Sequence, residues 1–145
     1  MTGKLWVVGL GPGDVLHLTP AAKAAIAQAD CVAGYKTYLE LIPELIDGKE
    51  LLSSGMRQEV ERCQLAIGRV EEGAKVALVC SGDAGVYGMA GLALEVLEAE
   101  GLLGCVPFEV IPGIPALSAA ASLAVESQEQ GAAAGLVSAC PAIGF

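Results

Sequence analysis

Lys75-Val76-Ala77-Leu78-Val79-Cys80, running into Ser81-Gly82-Asp83-Ala84-Gly85-Val86-Tyr87-Gly88, decides the fold of this 145-residue chain. An unbroken apolar run bounded by turn residues reads as a strand buried on both faces, which is the habit of a parallel sheet covered by helices. The glycine-rich turn then opens a helix that runs to Glu100 and is stopped by Gly101. Strand, glycine turn and helix form one βα unit, and the pattern repeats in both directions. Upstream, Lys4 to Val8 is a strand ending at Gly9-Leu10-Gly11-Pro12-Gly13-Asp14, and Thr19-Pro20 supplies an N-cap and a first-turn proline for a helix to about Ala29. Cys31 to Ala33 is a second strand, ending at Gly34-Tyr35-Lys36-Thr37-Tyr38, and Pro43 breaks the short helix that follows. Glu50 to Leu52 reads as a third strand. Arg57 to Glu72 is a helix with Val60, Cys63, Ile67 and Val70 as its buried face, closed by Gly73. Downstream, Phe108 to Ile111 makes a fifth strand that turns at Pro112-Gly113-Ile114-Pro115 into a last helix. The expected class is α/β: a three-layer αβα domain with a mostly parallel five-stranded sheet and the strand at 75–80 central.

Composition narrows the functional classes. With 54% hydrophobic residues the chain has material for one ordinary core, hence one domain. The longest uncharged stretch, Val110 to Val125, is interrupted by Pro112, Gly113 and Pro115, so no membrane span is expected. The apolar run after Lys4 is broken by glycines and Asp14, unlike a signal peptide, and a cytoplasmic location is expected. Five cysteines without a Cys-x-x-Cys pair read as reduced thiols and not as a metal site. A net charge of −9 and a pI near 4.4 speak against nucleic acid as a partner, so any anionic ligand must be held by local Lys or Arg.

The three most glycine-rich loops all fall at the carboxyl ends of predicted strands, where open α/β sheets bind ligands. The first reads Gly-x-Gly-x-Gly-Asp, not the dinucleotide Gly-x-Gly-x-x-Gly, and Asp14 would face a pyrophosphate. Asp30 also precedes the second strand, where a ribose-binding acid would have to follow it. The second loop lacks the Lys-Ser/Thr of a P-loop and carries Asp83. A nucleotide-dependent oxidoreductase is therefore disfavoured. A cationic, amine-bearing ligand such as S-adenosylmethionine suits a carboxylate among exposed backbone groups, while Asp83 as a turn-former or N-cap is the structural alternative. His17, the one histidine, is read as a solvated or capping residue in preference to a metal ligand. Arg57 is a candidate for a substrate carboxylate, although surface ion pairs are the commoner fate of both Arg57 and Arg62.

Gly9 to Asp14, Ser81 to Gly88 and Val110 to Ile114 together resemble, in order and spacing, the tetrapyrrole (corrin/porphyrin) methylases. Gly34 to Tyr38, Ser54 to Arg62 and Gly88 to Leu92 are similar to the branch that methylates carbon 17 of precorrin-3B or its cobalt form. The resemblance covers Lys4 to about Leu123. It implies an N-terminal α/β domain over 1–123, a divergent tail over 124–145, and no counterpart of the family's C-terminal domain. It further implies S-adenosylmethionine as cofactor, methyl transfer by direct displacement onto a tetrapyrrole with ring contraction, and a homodimer or a complementing chain. Carried over residue by residue, Pro12, Ser81, Gly82, Asp83, Val86 and Ala116 are expected around the cofactor. Asp14, Tyr35 and Lys36 are expected to meet substrate or move a proton. Pro115 departs from the family's usual Ser or Thr and supplies neither a hydroxyl nor an N–H. A non-catalytic binding or interaction module derived from the same fold is the alternative function.

Overall fold

A computed structural model describes residues 3–12, 15–55, 58–85 and 89–115. The strands β1 (Lys4–Gly9), β2 (Cys31–Tyr35), β3 (Glu50–Ser54), β4 (Lys75–Cys80) and β5 (Phe108–Ile111) form one sheet in the order β3-β2-β4-β1-β5. Every strand pairing within it is parallel. The apolar strand β4 is central, as its composition requires: Val76, Ala77, Leu78 and Val79 have no solvent exposure on either face.

Side chains alternate between two cores. Leu5, Val7, Val76, Leu78, Cys31 and Ala33 meet the helices α3 (Glu59–Glu71) and α4 (Met89–Ala99). Trp6, Val8, Val32, Ala77 and Val79 meet α1 (Pro20–Gln28) and the segment around α2 (Lys36–Leu39). The chain thus moves outward from β1 to β3 over one face and returns from β3 to β5 over the other. Right-handed crossovers allow only this use of the two faces once the strand order is set.

Local chemistry supports each unit. Thr19 Oγ1 accepts from Ala22 N at 3.1 Å, and Pro20 opens α1. Asp30 sits at the amino edge of the sheet, where its Oδ2 accepts from Lys75 N at 3.0 Å. That edge is opposite the glycine loops, so Asp30 cannot serve a ligand there. Arg69 of α3 grips Glu50 of β3 with Nε and Nη2 at 3.1 and 2.6 Å.

Three expectations need correction. Strands β2 and β3 each run two residues further than read from the sequence, to Tyr35 and Ser54. Gly34 does not end the strand but continues it, and its lack of a side chain serves packing: a Cβ on it would stand 2.6 Å from Val79 Cγ2. The buried stripe of α3 is Arg62, Cys63, Ala66, Ile67 and Val70, while Val60 is 49% exposed. Arg62, expected at the surface, is 4% exposed. The helix expected after Pro115 and the tail at 124–145 lie outside the described residues. Among the described residues no helix is long and apolar enough to cross a membrane, and no cluster of three metal-ligating side chains occurs.

Leu78→Ala removes a fully buried side chain at the centre of the sheet, and urea titration should show a loss of about 2–5 kcal/mol. Burial pushes the Cys31 and Cys63 thiols from 9.0 up to about 11. The folded state holds these protons more tightly than the unfolded state, so stability is intact below pH 9 and falls as pH rises toward 11. Paired Cys31→Ala and Cys63→Ala substitutions should flatten that alkaline slope in denaturant titrations.

Candidate functional site

The loops after β1, β4 and β5 are fused by backbone contacts at the carboxyl edge of the sheet. Gly11 N donates to Gly82 O at 3.0 Å and Gly82 N returns a bond to Gly11 O at 2.8 Å. Both residues have the positive φ, 75° and 70°, that glycine adopts without strain. Gly113 lies so close that a Cβ would stand 2.4 Å from Gly82 O and 2.7 Å from Gly9 O. Asp83 then locks the assembly. Its Oδ2 accepts from Gly85 N and its Oδ1 from Gly113 N, both at 2.9 Å. The bond to Gly113 crosses from the loop after β4 to the loop after β5, and α4 begins only at Met89. Asp83 is therefore a clamp between two loops as well as a turn-former, and not the N-cap of α4.

The candidate residues divide around this junction. Pro12 and Ser81 are exposed on it, Gly82 is buried within it, and Asp83 is half-buried. Tyr35 and Lys36 stand at the end of β2, on the other side of β4, with Tyr35 half-buried against Tyr38 in an edge-to-face contact at 5.2 Å. Asp14, Val86 and Ala116 lie outside the described residues, as does Arg57.

The topology makes two crevices. The loop after β4 leads to α4 on one face, whereas the loops after its neighbours β1 and β2 lead to the opposite face. Such divergence opens a ligand crevice above the strand ends. The β4–β1 crevice is closed at its base by the glycine junction. Over the β4–β2 side lies a cavity of about 270 Å³ lined by Tyr38, Glu59, Arg62, Cys80, Ser81 and Met89. Ser81 borders both the junction and the cavity.

Arg62 is the main addition that structure makes to the sequence reading. Its Nη2 donates to Gly55 O at 3.3 Å, and its guanidinium lies 6.0 Å from the Tyr35 ring centroid. One group thus touches the loops after β2 and β3 and also lines the cavity beside β4. Tyr38, Glu59 and Met89 join the candidate set by the same placement. The signal for Arg62 in the sequence is its phase, four residues before Ala66 on the buried stripe, which its charge masks. Burial pushes the Cys80 thiol up, and its Sγ donates to Val8 O at 3.6 Å, so this cavity wall is a neutral thiol. A larger hollow of about 560 Å³, between Leu18 and the segment Glu40 to Leu45, is mostly apolar and is lined by none of the residues of the loops after β4 and β5. Size does not make it the site.

The junction's chemistry admits one class of ligand more readily than another. Within Gly9–Pro12, Ser81–Gly85 and Pro112–Pro115 the sole formal charge is the Asp83 carboxylate. A phosphate would be repelled there, whereas a sulfonium or ammonium would be favoured. The donor set therefore fits S-adenosylmethionine, with Ser81 and the loop backbone available to its polar groups.

Known proteins share this sequence pattern and fold. The family model described as Tetrapyrrole (Corrin/Porphyrin) Methylases matches residues 4–142. The chain is 50% identical over 125 residues to the cobalt-factor III methyltransferase of Priestia megaterium, covering 85% of this chain and 23% of that protein. It is 46% identical over 119 residues to a probable cobalt-factor III C(17)-methyltransferase of Salmonella typhimurium, covering 82% and 48% respectively. A crystal structure of the methyltransferase CobJ superposes with a TM-score of 0.78 at 38% identity, covering 84% of this chain and 51% of that one. The chain spans about half the length, or less, of the proteins it matches.

Gly113→Ala forces a methyl group into the Gly82 and Gly9 carbonyls, and should cost about 3 kcal/mol or more in thermal or urea unfolding. Asp83→Asn turns an acceptor into an amide that faces a backbone N–H, with an expected loss of about 1–3 kcal/mol by the same measurement.

Proposed function

The chain belongs to the tetrapyrrole (corrin/porphyrin) methylases, and from that membership we propose that it is the N-terminal part of an S-adenosylmethionine-dependent methyltransferase of cobalamin biosynthesis. The reaction is methylation of carbon 17 of a precorrin-3B-type macrocycle with ring contraction. Its cobalt-factor III form is favoured by the names of the relatives. The observation that carries this reading is the junction of Gly9, Gly11, Gly82 and Gly113 clamped by Asp83. It presents one carboxylate and a rim of glycine backbone at the strand ends, a surface suited to a small cationic cofactor.

S-adenosylmethionine, when bound, supplies an activated methyl group. The chain's own part is to orient and to exclude water. Pro12, Ser81, Gly82 and Asp83 form the cofactor wall, which Val86 and Ala116 extend by resemblance. The Asp83 charge favours a cation before transfer and loses that advantage when the cation is neutralised, which weakens product binding relative to substrate. Tyr35 and Lys36 face the macrocycle, and with Asp14 they are the groups available to hold or move a proton. Positioning of the acceptor carbon carries most of the rate enhancement.

Residues 1–123 are assigned as the N-terminal α/β domain and 124–145 as a divergent tail. A second reading is a non-catalytic binding or interaction module derived from the same fold, which holds cofactor without turnover; a homodimer partner or a complementing chain accompanies the catalytic reading. A cytoplasmic setting, without nucleic acid or membrane, accompanies both readings.

Calorimetric titration with S-adenosylhomocysteine, with NADH as control, tests the site. Saturable binding of the first alone supports it, and binding of NADH alone would replace the methylase reading with an oxidoreductase. Transfer of labelled methyl from S-adenosylmethionine to cobalt-factor III then separates the catalytic from the binding-only reading. Sedimentation velocity tests the homodimer: concentration-dependent self-association supports it, and a monomer at all concentrations would contradict it.

A further inference from the structure

We propose that the hollow of about 560 Å³ beside α1 is the centre of a twofold interface whose occupant is a second copy of this chain. The proposal rests on the methylase reading with a homodimer partner and goes beyond it by naming the surface that pairs. One wall is made by Leu18 and Lys23 around the start of α1, and the other by the segment Glu40 to Leu45 directly after α2. That segment has two apolar sides. Ile42 is buried in the core beneath it and holds it in place, whereas Leu41 is 40% exposed at the lip of the hollow and Pro43 is exposed beside it. An apolar lip around an apolar hollow is the kind of surface that association covers.

Charge decides what the hollow receives. Lys23 stands on the α1 wall and Glu40 and Glu44 on the wall opposite, all three exposed. Among the described residues none of these three side chains has a salt-bridge partner. A twofold axis through the hollow turns the α1 wall of one copy onto the 40–45 wall of the other. Lys23 of each copy then faces Glu40 and Glu44 of the other, and Leu41 of each enters the apolar hollow across from it. One patch thus supplies cation, anions, knob and hole, which is the self-complementarity that a twofold contact requires. A small apolar molecule would use the hollow but not the charges. The chain carries a net charge of −9, so copies repel one another over most of their surface and approach best where a lysine meets carboxylates. Pairing here leaves the ligand crevices open, because the hollow shares no lining residue with the cavity beside β4 and none with the loops after β4 and β5.

Sedimentation velocity over a concentration series of the full chain tests the pairing, with S-adenosylhomocysteine titrated into the same samples. Wild type should form a discrete dimer. Lys23→Glu sets like charges against each other at two symmetry-related places and should weaken dimerisation by at least about 10-fold. Glu40→Lys combined with Glu44→Lys should do the same. An equimolar mixture of these two variants should dimerise again, because the mixed pair restores opposite charges at both places. Leu41→Glu, which puts a charge into the hollow, should also weaken the dimer, and it decides the matter if a charge variant does not fold. A wild type that stays monomeric at all concentrations would overturn the proposal, and bound S-adenosylhomocysteine in those samples would leave the methylase reading standing. A dimer indifferent to Lys23→Glu and Leu41→Glu would place the interface elsewhere and overturn it too. Monomeric charge variants whose mixture remains monomeric would deny the pairing of Lys23 with Glu40 and Glu44 across the axis. A dimer with the expected variant pattern but no S-adenosylhomocysteine binding would uphold the interface and count against the methylase reading alone.

Discussion

The close approach of three backbone segments, at Gly9, Gly82 and Gly113, is the constraint on which the rest of this structure depends. No side chain fits between them, since a Cβ on Gly9 would stand 2.6 Å from Gly82 O and one on Gly113 2.4 Å from the same atom. Strands β4, β1 and β5 can then end level with one another, and their loops can share hydrogen bonds instead of fraying apart. Asp83 converts proximity into rigidity by accepting one amide from its own loop and one from its neighbour's. Structure and electrostatics are thus set by one residue.

Much of the fold was legible because period and punctuation agree along the chain. The apolar run at 75–80 announced the central strand, and Thr19-Pro20 announced α1. Gly73 and Gly101, both with positive φ, mark helix ends. What escaped the reading did so for physical reasons. Gly34 looks like a stop but serves the packing of Val79 across the sheet, an influence from 45 positions away that no local rule contains. Arg62 was assigned to the surface because charge outweighs phase in a sequence, whereas in the fold its stem continues the buried stripe of Cys63 and Ala66 and its head reaches a cavity. The motif residues were found by their types, but the pairing of Asp83 with Gly113 depends on strand order, which the sequence does not spell out.

Charge is distributed sparingly around the site. The three glycine loops carry one carboxylate among their described residues, and the cations nearby belong to the other side of β4, at Lys36 and Arg62. The thiols of Cys31, Cys63 and Cys80 are held neutral by burial, so they add volume to the core without adding charge.

The central strand has a loop that departs from both of its neighbours' loops in direction, and this gives the protein two clefts with a single shared boundary at Ser81. One is floored by mutually interlocked glycines, where almost any substitution is excluded by contact. The other is walled by side chains of α3, α4 and the segment after β2, where size and polarity can be exchanged one residue at a time. Evolutionary change should therefore be unequal across β4. Side chains on the α3 side can change one at a time while the glycine side stays fixed by backbone contact, so the shape of one cleft can be altered without disturbing the other.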